Sequence, residues 1–263
     1  MDLWQDIKFG VRLLAKARWF TLAAGTALAL GIGANTTVFT LVNAVLYRGL
    51  PFDDYESIVA VWAENAQNQR SGVSHPNYVD LRDQARTLRS VAANLNSTVN
   101  LADDGQAPER IQGAYVSGNF FRMLGEQPVL GRDFVDEDDR EGAEPAVLLG
   151  HNVWQNRYGG DRGVLGLSIR VNSLVATVIG VMPPNMRFPR NTDLWIPLHM
   201  LPPESEVARR DRGTSFQGIG RLARGSSIQM ARQEFQAISR RLADEYPESN
   251  RDLGFNVMSF QEQ

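Results

Sequence analysis

Cysteine is absent from the 263-residue chain. Its absence excludes disulfide scaffolds, Cys-ligated zinc and thiol nucleophiles, and leaves the redox compartment open. Lysine is almost absent too: Lys8 and Lys16 are the only two, and the other 25 basic residues are arginine. Histidine is limited to His75, His151 and His199, scattered and without an HExxH pair, so each reads as a surface or capping residue and no metal is expected. With a net charge of −3 the chain lacks the basic footprint of a general nucleic-acid binder, and no nucleic acid is expected as a partner. No phosphate-cradling GxxxxGK loop, no GxSxG and no SxxK occurs. Gly31-Ile32-Gly33 follows no strand, so a dinucleotide reading fails. The expectation is a protein without catalytic residues or a cofactor, and not an enzyme.

The acidic run Asp133–Glu144 is the best metal candidate. As a calcium loop from Asp136 it would place Arg140, Glu141 and Val147 where carboxylates and a glycine are required, so it reads instead as a solvated, capping loop. Arg209-Arg210-Asp211-Arg212 reads as a charged surface turn.

Charge is absent from one long stretch. Residues 19–46 carry none over 28 positions. As a helix of about 1.5 Å per residue this is ~42 Å long, against a hydrocarbon core of ~30 Å. Trp19 and Tyr47 suit interfacial anchors, and Lys8, Arg12, Lys16 and Arg18 precede the span where only Arg48 closely follows it. The basic asymmetry places the N-terminus in the cytoplasm and the body outside. A signal peptide cut after Ala27-Leu28-Ala29 is the alternative, although apolar sequence continues well past that point. Within the span Gly25, Ala29, Gly33 and Thr37 recur every fourth residue, a small-residue stripe for packing against other membrane helices. Before it, Leu3, Ile7, Val11 and Leu14 recur at helical spacing, as in an amphipathic helix lying on the membrane surface.

The body shows one pattern twice. Ile58–Glu64 reads as a strand, Pro76 onward as a helix with Tyr78, Leu81 and Ala85 on one face, and Leu88–Leu101 as extended. Gln217–Leu222 reads as a strand and Arg224-Gly225 as a turn. Ser226 with Gln229 makes a capping box, and Ala231, Phe235, Ile238 and Leu242 form an apolar face that Pro247 closes off before the strand Phe255–Phe260. Two strand–helix–strand units so far apart suggest halves of one split α/β subdomain. Between them lie short strands with frequent Gly and Pro: Val147–Leu149, the hairpin Ser168–Val181 about Asn172-Ser173, and Asp193–Pro197, with a helix at Val153, Trp154 and Tyr158.

Several long blocks resemble the MacB/FtsX-type ABC transporter permeases, and in particular the duplicated orphan permeases of acidobacteria that have no adjacent ATPase gene. They are FGVRLLAKARWFTLAAGTALALGIGANTTVFTLVNAVLYRGLPF, SHPNYVDLRDQARTL, GAYVSGNFFRMLGEQPVLGRDFVDEDD, WQNRYGGDRGVLGLSIRVNSLVATVIGVMPP, DLWIPL and IGRLARGSSIQMARQEFQAISRRLADEYP. The resemblance implies an α+β class: one N-terminal transmembrane helix, then a two-lobed extracytoplasmic domain, a split porter-like lobe with a β-rich sabre-like insert. The expected segments are a cytoplasmic amphipathic helix at 1–18, the membrane helix at 19–46, the porter-like lobe at 47–112 and 213–263, and the insert at 113–212. Three further membrane helices would follow in the family, so the chain is expected to be an N-terminal fragment of a permease subunit. The implied role couples membrane-helix motion to export or mechanotransmission, through the rigid connection at Leu46–Phe52. A single-pass anchored binding domain is the alternative. Implied partners are the bacterial inner membrane, further permease helices, a second permease half or protomer, and a separate cytoplasmic ATPase subunit, with residues 47–263 periplasmic.

Overall fold

In the computed structural model the described residues are Trp4, Lys8, Phe9, Arg12, 16–42, Phe52, 54–103, 106–172, 174–202, 206–211 and 214–259. They fall into two compact units, residues 1–50 and 51–263.

The first unit contains helix α1, Arg18–Val42. Among its described side chains Trp19, Phe20, Leu28, Leu30 and Ile32 are exposed. Among the described residues no helix is long and apolar enough to cross a membrane; glycines, threonines and Asn35 dilute the leucines of α1. The expected span continues into residues 43–46, which lie outside the described ones, as do Leu3, Ile7, Val11 and Leu14 of the expected amphipathic helix.

The second unit is built on one sheet. Its strands are β1 (Ile58–Asn65), β2 (Arg70–Ser71), β3 (Val73–Ser74), β4 (Leu88–Asp103), β5 (Gln106–Val116), β6 (Leu130–Gly131), β7 (Ala146–Leu149), β8 (Ser168–Val171), β9 (Leu174–Val181), β10 (Leu194–Pro197), β11 (Ser215–Leu222) and β12 (Leu253–Ser259). The helices are α2 (His75–Gln84), α3 (Phe120–Leu124), α4 (His151–Tyr158), α5 (Ile228–Glu245) and α6 (Pro247–Asn250). Along the sheet the order is β12-β1-β11-β4-β5-β10-β7-β9-β6, with β2 on β1, β3 on β11 and β8 on β4 and β9. The two strand–helix–strand units interleave: β1 of the first lies between β12 and β11 of the second, antiparallel to both. This is the split β-α-β arrangement, with α2 and α5 as its helices.

Alternation along β1 divides its side chains between two faces. Val59, Val61 and Ala63 share a buried core with Phe255 and Val257 of β12 and with Ala231, Phe235, Ile238 and Leu242 of α5. The Ser239 hydroxyl fastens helix to strand, donating to the Phe235 carbonyl and accepting from the Phe255 N–H, both at 2.7 Å. A separate aromatic group joins Phe52, Phe188, Phe120, Phe121, Phe134 and Trp195, with ring centroids 5.3–6.5 Å apart.

Several sequence expectations shift. The N-cap of α5 is Ser227, whose hydroxyl accepts from Met230 N–H at 3.2 Å, one residue after the expected Ser226. Gly225 is free to take φ +82 in the preceding turn, and this sets where the helix starts. The expected boundary between residues 112 and 113 falls inside β5, and β10 joins β5 as a parallel neighbour, so hydrogen bonding runs uninterrupted across it. The hairpin β8–β9 turns at Asn172, as its left-handed φ of 55° requires.

Candidate functional site

The sequence singles out Gly25, Ala29, Gly33 and Thr37, and all four lie on α1. Gly25, Ala29 and Gly33 are exposed. A Cβ built at Gly25 or at Gly33 would meet no neighbouring atom within 4 Å. Of the expected connection at Leu46–Phe52 only Phe52 is described; it is buried and sets its ring edge-on to Phe188 at 5.4 Å.

Just beyond that connection lies a buried cation that sequence reasoning missed. Arg221, near the C-terminal end of β11, is 3% exposed. Its Nε donates to the Met123 carbonyl at 2.8 Å and its Nη2 to the Leu124 carbonyl at 2.9 Å. Nη1 reaches Ser57 Oγ at 3.4 Å and Asp54 Oδ2 at 3.8 Å. One side chain thus ties the start of the folded body to the last turn of α3. A lone Arg inside the apolar run Ile219–Leu222 was the available signal.

Two more arginines are held in place. Arg157 and Asp103 form a two-point pair at 2.9 and 3.1 Å with side chains 6% and 7% exposed, and Tyr158 Oη donates to the same carboxylate at 2.8 Å. The pair fixes α4 to the β4–β5 hairpin. Burial, and then the Asp103 charge, raise the Tyr158 pKa above its ordinary value. Arg210, expected on a surface turn, instead reaches inward. It donates to Asn77 Oδ1 and to Asp80 Oδ2 at 2.6 Å, and its guanidinium lies 3.7 Å from the Tyr246 ring centroid. Arg212 lies outside the described residues.

A polar cleft of about 490 Å³ is lined by α2, the Ser117–Asn119 turn and the acidic run. Here Asp139 accepts from Gly118 N–H at 3.2 Å and His199 N–H at 3.1 Å, while burial pushes its carboxyl up to about 6. Burial likewise brings Asp133 up to about 6. Asp138 pairs with Arg132 at 2.6 Å and accepts from Val135 N–H at 2.8 Å. The run thus works as a set of caps, its carboxylates turned to separate donors. Among the described residues no three His, Asp or Glu are grouped to hold a metal. Ser117 Oγ donates to Asn119 Oδ1 at 2.7 Å and accepts from Ala93 N–H at 3.1 Å, so it is engaged in structure. His75 packs its ring against Tyr78 and Phe216, and burial followed by the Arg82 charge lowers its pKa.

The fold has relatives among solved structures. A domain of a Porphyromonas gingivalis protein named as a permease is similar at TM-score 0.61 and 18% identity, over 80% of this chain and 93% of that one. The periplasmic region of MacB from Actinobacillus actinomycetemcomitans is similar at TM-score 0.56 and 14% identity, over 77% and 88%. The extracellular domain of the noncanonic ABC-type transporter YknZ from Gram-positive bacteria is similar at 0.54 and 12%, over 76% and 99%. These likenesses establish an α+β fold shared with these permease and transporter domains. No curated protein matches the sequence. Residues 21–238 match the family model of the MacB-like periplasmic core domain, and the chain belongs to that family.

Proposed function

We propose that the chain is the N-terminal part of a permease subunit of a MacB/FtsX-type ABC transporter, whose extracytoplasmic domain couples membrane-helix motion to export or mechanical transmission. One observation carries the reading. The family match begins at residue 21, inside α1, and ends at 238, inside α5, so the apolar helix and the folded body belong to one family unit. A helix with exposed apolar side chains on all sides is stable in lipid or among other helices, not in water. Trp19 is 86% exposed and Leu30 69%, and burying side chains of this kind is worth roughly 1.5–3 kcal/mol each. On this reading residues 19–46 cross the inner membrane with the N-terminus cytoplasmic, and Gly25, Ala29, Gly33 and Thr37 face further permease helices.

The chemistry of the body fits transmission better than catalysis. The acidic run serves as caps and Arg157, Arg210 and Arg221 are held in place, and force entering along the chain at Phe52–Ser57 meets Phe188 and Arg221 at once. ATP hydrolysis would belong to a separate cytoplasmic subunit, and a second permease half or protomer would complete the path. The full-length chain purified from its native membrane should bring a nucleotide-hydrolysing subunit in fixed ratio. Recovery as a solitary single-pass protein from gently solubilised membranes would instead favour an anchored binding domain.

A further inference from the structure

A second cavity, a groove of about 500 Å³, lies beside β1, β11 and β12. In register, Met258, Ala60 and Ile219 form one row across these three strands. By alternation the row lies on the face of β1 opposite Val59 and Val61, and so opposite the core shared with α5. A small alanine between two large side chains makes the row concave.

The wall is preformed. Phe188 stacks against Phe120 at 6.0 Å and meets Phe52 edge-on, while its carbonyl accepts from Trp195 Nε1 at 2.9 Å. Thr192 Oγ1 donates to the Pro189 carbonyl, and Thr192 N–H to the Arg187 carbonyl at 3.0 Å. Little ordering is left to be done on binding, which preserves affinity.

Three of the groove's side chains, Trp62, Arg70 and Arg190, offer only donors. Trp62 Nε1 is buried with no hydrogen-bond partner, a costly state for an indole N–H. Arg70 lies over the Trp62 ring at 4.7 Å and reaches Met258 Sδ at 3.5 Å. Arg190 also lines the groove. Among the described residues neither guanidinium pairs with a carboxylate, and none of the lining residues is Asp or Glu. Glu64 stands across from Arg70 in the β1–β2 register without forming an ion pair with it, and an apolar floor beside two such guanidinium groups calls for an anion with an apolar body. The volume lies within the ~300–1,000 Å³ of ordinary ligand sites.

We propose that this groove binds a single-chain amphiphile with an anionic head, its tail on the Met258–Ala60–Ile219 row and its head oxygens held by Arg70 and Arg190, beside the Trp62 ring. The assignment stands apart from the transport reading, since it needs only the folded body. Octanoate is a suitable probe, with octanol as its uncharged counterpart. The full chain would be held in a maltoside detergent, and the indole N–H resonance of Trp62, assigned by its loss in Trp62→Phe, would be followed by NMR.

Octanoate should shift that resonance saturably, with octanol at least tenfold weaker. An Arg70→Gln/Arg190→Gln double variant should keep its fold by circular dichroism and lose at least tenfold in octanoate affinity. No saturable shift, equal binding of octanol, or undiminished binding by the folded double variant would each overturn the proposal. So would tighter binding of an apolar peptide with a blocked C-terminus, which would make the groove a peptide site.

Discussion

Arg221 Nε donates to the Met123 carbonyl at 2.8 Å, joining residues 98 positions apart. The carbonyls of Met123 and Leu124 belong to the last turn of α3, where a helix leaves its C=O groups without partners of its own. The guanidinium supplies those partners, and in return a buried cation finds its acceptors.

Arg221→Met should therefore leave two carbonyls and the Ser57 hydroxyl short of a donor. The expected cost is ~1–3 kcal/mol in urea unfolding. Hydrogen exchange should quicken at 120–125 and at 57–58 together. Quickening confined to β11 would show that the side chain does not link the three segments.

Phe235 is fully buried on the face of α5 that shares its core with Val59 and Val61. Phe235→Ala should cost ~3–5 kcal/mol and loosen residues 58–62 as well as 217–259. If 58–62 stayed as protected as in the parent, the interleaving of the two units would be structurally idle.

Much of that interleaving was legible. Strands Ile58–Glu64 and Gln217–Leu222 and the apolar stripe Ala231–Leu242 follow from local periodicity, and the core confirms the stripe. Residues 106–112 were not readable as part of β5, because the start of that strand is exposed and breaks the apolar–polar alternation. The parallel joins of β10 to β5 and of β7 to β9 are long-range pairings that no local pattern encodes. Nor do the arginines announce their partners. Arg210 stands in a run of charges that reads as surface, and only the fold brings Asn77, Asp80 and Tyr246 to it.

Arg157→Met would strand the Asp103 carboxylate in a site 7% exposed. Breaking a buried pair in this way costs about 3–5 kcal/mol. The double variant Arg157→Met/Asp103→Leu should recover a large share of it. Equal destabilisation of the single and double variants would mean that packing, not the stranded charge, sets the cost.

Asp139 sets a pH dependence of known sign. Its carboxyl titrates near 6 in the folded protein against an ordinary value of 3.8. Between those values the native state holds a proton that the unfolded chain has lost, so this group's contribution to stability falls as pH rises from about 4 to about 6. The parent should thus lose stability relative to Asp139→Asn across that window, as judged from urea midpoints at each pH. A constant difference between the two proteins would mean that Asp139 is not shifted.

The central claim is the proposal that residues 19–46 cross a membrane and that the folded body lies on its far side. The natural absence of cysteine makes the chain its own background for labelling. Lys8→Cys and Glu141→Cys, both at exposed positions, would be treated with a membrane-impermeant maleimide on spheroplasts and again after lysis. The account predicts that Glu141→Cys labels on intact spheroplasts and Lys8→Cys only after lysis. Labelling of both before lysis, or of neither, would contradict it.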